Sequence, residues 1–245
     1  MTTEESLRRH FCRMGARVRI VDAGRLEAKV RIDVGRDREG EYFEILRHSE
    51  VWPEVLDVQP RLRHLVLLVR DGRAKNKFLL GHDERHWFAA AVPGDHVHDV
   101  RTAIESLRPA EAEGRAAIRQ GEWFFVADPS VPDKNAVIHR NEPLSRGSGS
   151  KPHICAELTR RNGVTVMVCP RYPTGVTVDE WERLIADNER LRGWAWRRMT
   201  RDAEVFARGD VRHPDHKTIH LDGWHRVYLN REREARHAPQ IAFLD

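Results

Sequence analysis

Residues 65–80 read LVLLVRDGRAKNKFLL, and this stretch decides the class of fold. Two mainly aliphatic runs stand on either side of Asp71-Gly72, and an Asp-Gly pair between such runs favours the tight turn of a β-hairpin. Apolar and polar residues alternate in residues 18–20 and 30–34, and residues 42–46 again have extended character. A period of two is typical of strands, so the first half of the chain is predicted to be mostly antiparallel sheet.

Helices are predicted at only a few places. Thr2 with Glu5 and Thr177 with Glu180 have the spacing of a capping box, which begins a helix. Between them, apolar residues recur at helical spacing in residues 97–107. The chain is therefore predicted to have an α+β fold with mostly antiparallel sheets and few helices.

The segment most like a linker is residues 140–152, which read RNEPLSRGSGSKP and have no apolar period. As a linker it would separate two sub-domains, an N-terminal α+β domain of residues 1–145 and a His-rich α+β domain of residues 146–245. A functional loop is the competing interpretation. The second sub-domain opens with a predicted hairpin, in which residues 153–158 pair with residues 164–168 across Asn162-Gly163.

The composition bounds the class of protein. Hydrophobic residues make up 40% and charged residues 33%, a balance typical of soluble globular proteins. No apolar run approaches the roughly 18 residues that span a bilayer, and the N-terminus lacks the layout of a secretory signal. Cys12, Cys155 and Cys169 are odd in number and widely spaced, which argues against a disulfide framework. We expect a cytoplasmic protein with no membrane partner.

The strongest chemical signal is in residues 213–225, which read HPDHKTIHLDGWH. Imidazole is the commonest protein ligand for transition metals, and it titrates near neutral pH. Residues 218–221 and Asp222-Gly223 favour a second hairpin, which would leave His213 and His216 in the loop before it. A short helix beginning at Pro214 is the alternative, and it would bring His213, His216 and His220 to one side.

A further histidine, His153, begins a predicted strand in the same half of the chain. Because zinc accepts imidazole ligands, His153, His213 and His216 are predicted to converge on a divalent metal, with zinc as one candidate. His216 and Asp215 are the predicted catalytic residues, with His216 acting as base or ligand. Since the chain has 14 histidines, chance crowding of structural histidines is the alternative.

Another pair, His82 and His86, lies four residues apart. On a helix the two could share a metal, but the apolar run that follows indicates a loop entering a strand. The sequence leaves the role of this segment open.

The order of Asp215-His216, Asn230 and His237 resembles that of HNH-type nucleases over about the last 30 residues. In that family the first histidine is a general base and the later histidine holds a metal. The resemblance implies a metal-dependent phosphodiesterase. Pro239 departs from the pattern, because it shortens any helix that would carry His237, so the chain is not assigned to the family.

A second candidate surface is residues 190–201, which read RLRGWAWRRMTR. Indoles stack on bases and arginines neutralise phosphates, so this stretch is predicted to bind single-stranded nucleic acid. The alternative is that both tryptophans complete a core and the arginines pair with Asp187, Glu189 and Asp202. The predicted nucleic-acid-binding residues are Arg190, Arg192, Trp194, Trp196, Arg197, Arg198 and Arg201.

Two classes of function follow. The first is a nucleic-acid-associated protein with a His-centred metal site, which as an enzyme would be a metal-dependent hydrolase acting on phosphodiesters. The second is a non-catalytic binding or assembly module, in which the histidines and tryptophans are structural or contact a protein partner. A pH-responsive histidine interface is a third hypothesis. No Gly-rich phosphate loop of the Walker or Rossmann type is present, so a nucleotide cofactor is unsupported.

Overall fold

The computed structural model describes residues 3–22, 30–47, 51–71, 74–129, 136–145 and 151–234. The described residues form two compact units. Unit 1 contains the residues up to Glu113 and the segment that begins at Asn230, and unit 2 extends from Gly114 to Leu229.

Unit 1 is built from two sheets and two α-helices. One sheet has the order β1-β3-β2, with β1 parallel to β3, and the other is the antiparallel meander β4-β5-β6-β7. Its 3-10 helices span Ala110–Ala112 and Arg231–Glu234. The main elements are α1 (Thr3–Arg13), β1 (Val18–Asp22), β2 (Arg31–Asp37), β3 (Gly40–Arg47), β4 (Glu54–Gln59), β5 (His64–Asp71), β6 (Ala74–Asp83), β7 (His86–Val92) and α2 (Val100–Ser106).

The predicted hairpin of residues 65–80 is confirmed, and its first strand lies at the centre of unit 1. Leu65 and Leu67 of β5 belong to a core shared with α1 and the three-stranded sheet. Val66, on the opposite face, belongs to a second core shared with α2. A strand buried on both faces has a continuous apolar run rather than an alternating one, which explains the sequence of β5.

Unit 2 also contains two antiparallel sheets. The larger has the order β10-β11-β15-β16-β9-β8 and the smaller the order β13-β12-β14. A 3-10 helix spans Glu189–Gly193. The main elements are β8 (Ala117–Gln120), β9 (Trp123–Ala127), β10 (His139–Leu144), β11 (His153–Arg161), β12 (Val164–Cys169), β13 (Tyr172–Thr177), α3 (Val178–Asp187), β14 (Arg197–Arg201), β15 (Glu204–Arg212) and β16 (Ile219–Leu229).

The predicted division at residues 145/146 falls inside unit 2 and needs correction. β10 precedes this point and β11 follows it, yet the two strands pair, with Leu144 opposite His153. The Gly-Ser segment therefore connects neighbouring strands of one sheet. The observed boundary, near Gly114, has no comparable run of Gly, Ser and Pro to mark it.

Two predicted hairpins are wrong. Asn162 and Gly163 have the positive φ angles of a tight turn, but β11 before them pairs with β10 and β15, whereas β12 after them pairs with β13 and β14. Asp222-Gly223 lies inside the single strand β16, where the register with β15 shifts. An extra pair of residues in one strand of a ladder produces a bulge and a bend, not a reversal.

The predicted fold class is confirmed as α+β with mostly antiparallel sheets. The helices predicted at residues 97–107 and after Thr177 are α2 and α3, and the capping box of Thr177 and Glu180 is formed. Cys12, Cys155 and Cys169 are free thiols. Among the described residues, no helix is long and apolar enough to cross a membrane.

The largely buried carboxylate of Glu41 joins the two sheets of unit 1. It accepts hydrogen bonds from the backbone N–H of Trp87 at 2.9 Å and from Arg36 at 2.8 Å, and its Oε1 lies 2.6 Å from Nδ1 of His86. Burial alone would raise the pKa of Glu41, but these hydrogen bonds outweigh burial and lower it.

We predict that Glu41→Gln destabilises unit 1 by about 2 kcal/mol at pH 7, because a charged acceptor with several donors is lost. A depressed pKa in the folded state gives a contribution that is present above the unfolded pKa, about 4.3, and is lost as the pH falls through the folded pKa. Urea unfolding of both proteins between pH 7 and pH 3 measures this difference. A difference that stays constant across this range would contradict the assignment.

Candidate metal centre

Strand pairing brings two of the predicted ligands together. β11 and β15 are antiparallel with Ile154 opposite Arg212, so His153, one residue before Ile154, lies beside His213, one residue after Arg212. The same register therefore explains a contact between residues that are far apart in sequence. His216 follows in the loop that connects β15 to β16.

The predicted convergence of His153, His213 and His216 is confirmed. One ring nitrogen from each lies within 4.8 Å of the others. The rings are close to parallel, and the ring of His153 is centred 4.2 Å from that of His213 and 5.6 Å from that of His216. The centroids of His213 and His216 are 4.7 Å apart. We refer to these three residues as the histidine cluster.

His153 is the most unusual member of the cluster because its imidazole is only 1% exposed. Within the described residues, neither of its ring nitrogens has a hydrogen-bond partner. Burial lowers the pKa of His153 to about 3, and the charges of His213 and His216 act in the same direction. The ring is therefore neutral at physiological pH, and one nitrogen has a lone pair available for a ligand.

His213 is held by its backbone surroundings. Its Nδ1 accepts a hydrogen bond from the N–H of Asp215 at 3.1 Å, and its Nε2 lies 3.3 Å from the carbonyl oxygen of Lys151. Burial lowers the pKa of His213, and the charge of His216 lowers it further, against the carbonyl of Lys151 and the nearby carboxylates. His213 is thus a second neutral imidazole.

Asp215, predicted to be catalytic, lies next to the cluster. Its carboxylate oxygens are 2.9 and 2.7 Å from the ammonium of Lys151. The backbone N–H of Asp215 therefore binds His213, and its carboxylate binds Lys151. These contacts position the loop that carries His213 and His216, and they leave the carboxylate of Asp215 next to that loop.

Sequence reasoning missed the turn between β8 and β9, which adjoins the cluster. A Cβ atom placed on Gly121 would lie 2.9 Å from Nε2 of His216 and 3.4 Å from Nε2 of His153. Gln120 fixes this turn by donating to the carbonyl oxygens of Val211, at 3.2 Å, and Lys217, at 2.6 Å. Glu122 in the same turn is near enough for its charge to affect the pKa of His213. In the sequence, the position of this turn is indicated only by Gly121.

Other predicted features lie elsewhere or have structural roles. His82 and His86 belong to the β6–β7 hairpin, not to a helix, and His86 binds Glu41. His220 is exposed, and its Nδ1 is 2.6 Å from Asp210. Asn230 follows β16 and belongs to unit 1. His237, from the HNH-like order, lies outside the described residues.

The Trp–Arg stretch spans the 3-10 helix and β14. Trp194 and Trp196 are half-buried, and Trp196 stacks on Trp194 and on Tyr172 with ring centroids 6.2 and 5.5 Å apart. The rings of Trp194 and Tyr172 are tilted by 34°, with centroids 6.5 Å apart. Arg201 donates to the carbonyl oxygens of Thr174 and Gly175 and lies 3.7 Å from Asp202, so it has a structural role. In the part of the chain that is described, no ion pair involves the exposed Arg190, Arg192, Arg197 and Arg198.

The histidine cluster is a group of residues that could hold a metal ion. Zinc–imidazole bonds of about 2.1 Å at tetrahedral angles need ring nitrogens about 3.4 Å apart, and the three nitrogens of the cluster lie within 4.8 Å of one another. Three protein ligands with an open position are typical of catalytic rather than structural zinc.

No family model, curated protein or solved structure was found to match the chain.

We predict that Gly121→Ala changes the surroundings of His153 and His216, whereas Gly114→Ala does not. Both glycines have left-handed φ angles, +58° and +66°, so alanine costs about 1 kcal/mol at either position. Only at Gly121 would the added Cβ contact imidazoles. Chemical shifts of the histidine Cε1–H groups report the difference. Equal shifts in the two variants would contradict the described geometry.

We predict that His225→Ala destabilises metal-free protein by roughly 1–3 kcal/mol, and His216→Ala by about 0.5 kcal/mol or less. His225 is 9% exposed, lies opposite Ala207 next to core residues, and contacts the carbonyl oxygen of Gly223 with Nδ1 at 2.8 Å. His216 is half-buried in a loop. Thermal and urea unfolding in the presence of a chelator compare the two. Equal losses would make His216 a structural residue.

Proposed function

We propose that unit 2 binds a divalent transition metal, with zinc favoured, through His153, His213 and His216. One observation carries the proposal: a buried imidazole without a hydrogen-bond partner packs against two further imidazoles. Leaving a buried polar group unsatisfied costs about 1–3 kcal/mol, and such groups are rare in folded proteins unless a function requires them. A bound metal would use the lone pair of His153 and offset that cost.

The proposed reaction is hydrolysis of phosphodiesters. A metal with three protein ligands keeps a position for water, lowers the pKa of that water and stabilises developing charge on a phosphoryl oxygen. Basic side chains lie beside the cluster, since the ammonium of Lys151 binds the carboxylate of Asp215 at 2.7 Å, and Arg119 donates to the carbonyl oxygen of Gly121 at 2.8 Å. These cations favour an anionic substrate.

A histidine that binds the metal cannot also accept a proton, so the two roles predicted for His216 must be separated. We assign His216 to the metal and the role of general base to Asp215. Glu122 is a further carboxylate whose charge acts on the cluster. The non-catalytic alternative, an assembly module, predicts no metal and no response to chelators.

The first experiment measures metal binding by the full chain without a histidine tag. We expect one equivalent of Zn²⁺ or Co²⁺ to bind chelator-treated protein, with the visible absorption of tetrahedral Co²⁺. His153→Ala, His213→Ala and His216→Ala should each weaken binding by tenfold or more. His220→Ala is the matched control, because His220 is exposed on the adjoining strand and should leave binding unchanged. Wild-type protein that binds neither ion would overturn the proposal.

The second experiment tests catalysis with bis-p-nitrophenyl phosphate and metal-loaded protein. Asp215→Asn should retain the metal and lose activity by 10²-fold or more, the usual scale of general-base catalysis. Glu122→Gln should retain most of the activity. If metal-loaded protein is inactive, the metal is structural and the hydrolase assignment fails while the metal site stands.

A further inference from the structure

We propose that unit 2 has a separate binding surface for single-stranded nucleic acid, formed by Tyr172, Trp194, Trp196 and Arg198. This proposal does not depend on the metal site. The four residues are called the aromatic platform below.

The aromatic platform is held in place by one of its own rings. The indole N–H of Trp196 donates to the carbonyl oxygen of Leu191 at 2.8 Å, and Trp181 of α3 packs edge-on against Trp196 at 6.4 Å. Trp196 therefore anchors the segment between the 3-10 helix and β14. The sequence alternative, in which both tryptophans complete a core, therefore fits Trp196 but not Trp194.

Trp194 differs from Trp196, because its indole makes no hydrogen bond within the described residues. Its plane lies within 18° of the plane of Trp196, and Tyr172 lies within 20° of Trp196. Three half-buried rings with similar orientations present flat apolar faces of the kind on which unpaired bases stack. Duplex DNA does not expose its base faces, so the chemistry favours single strands.

The arginines of β14 separate by face. Arg198 lies opposite Met167, and Tyr172 lies opposite Cys169, two residues further along β12, so Arg198 and Tyr172 share one face of the sheet. Arg197 lies opposite Val168 and so belongs to the other face. Of these two exposed arginines, only Arg198 is placed to neutralise the phosphate of a strand whose bases stack on the platform.

Charge complementarity supports the same occupant. Within the 3-10 helix and β14, Arg190, Arg192 and Arg198 are exposed and have no acidic partner among the described residues, and Arg171 lies 6.0 Å from the ring centre of Trp194. Guanidinium groups without acidic partners beside aromatic rings suit a polyanion that also offers π-faces.

The experiment uses the full chain, a fluorescein-labelled oligothymidine of about 12 nucleotides, and fluorescence anisotropy at increasing salt. Trp194→Ala should weaken binding roughly 5- to 150-fold, the loss of one base–aromatic stack, with unchanged thermal stability. Arg198→Glu should weaken binding and reduce the slope of log K against log salt by about 0.7 or more, the value for one phosphate contact. Arg197→Glu, the neighbouring arginine on the opposite face, is the matched control and should have the smaller effect.

Several outcomes would overturn the proposal. The first is that wild-type protein does not bind the oligothymidine at low salt. The second is that Trp194→Ala binds it as tightly as wild-type protein does. The third is that wild-type protein binds a duplex of the same length as tightly as the single strand. Equal effects of Arg197→Glu and Arg198→Glu would show that the platform face is not the contact surface. Trp196→Ala is expected to lower thermal stability, which distinguishes the anchor from the ring that binds.

Discussion

The antiparallel register between β11 and β15 is the constraint on which the candidate metal centre depends. With Ile154 opposite Arg212, the residues just beyond this pair, His153 and His213, must be neighbours. The connection to β16 is short, since only residues 213–218 lie between the strands. A loop of that length keeps His216 near His213. Two of the proposed ligands thus come from one short loop and the third from the adjacent strand, which is a rigid way to gather three imidazoles.

The surroundings of residue 153 are largely apolar. Leu144 lies opposite His153, and Cys155, two residues along the same strand, is in the core. Burial raises the pKa of the Cys155 thiol to about 12, so this group behaves as an apolar side chain. A leucine at position 153 would complete such an environment without an unsatisfied polar group. The metal proposed at the histidine cluster would offset the cost of burying an imidazole there.

The sequence correctly predicted the elements that depend on local periodicity. It failed to predict which strands pair where the partners are far apart along the chain. The β5–β6 hairpin and α3 follow from aliphatic runs, turn residues and a capping box within each segment. Asn162 and Gly163 have the turn conformation that their sequence favours. The strand that precedes this turn, however, pairs with β15 and not with the strand that follows it, and Arg161 and Asn162 donate hydrogen bonds to Glu204 of β15. The convergence of the histidines was predictable because all three flank strands. Gly121 and Gln120 were not, because their contacts depend on how the sheet curves.

The proposed binding of a metal by the histidine cluster would require existing contacts to be replaced. Both nitrogens of His213 have backbone partners, the N–H of Asp215 and the carbonyl of Lys151, so coordination must replace one of these contacts. Any ring nitrogens farther apart than the roughly 3.4 Å of tetrahedral zinc ligands must also approach each other. Both changes fall on the loop of residues 213–218, since His153 is fixed in a strand. The free-energy cost of these two changes reduces the affinity for the metal. A metal bound with reduced affinity would exchange with solution, unlike a permanently bound structural metal. Because Asp215 and Lys151 form an ion pair on the same loop, closing the loop onto the metal would also move the carboxylate assigned as the base. Metal binding and placement of that base would then be one coupled step.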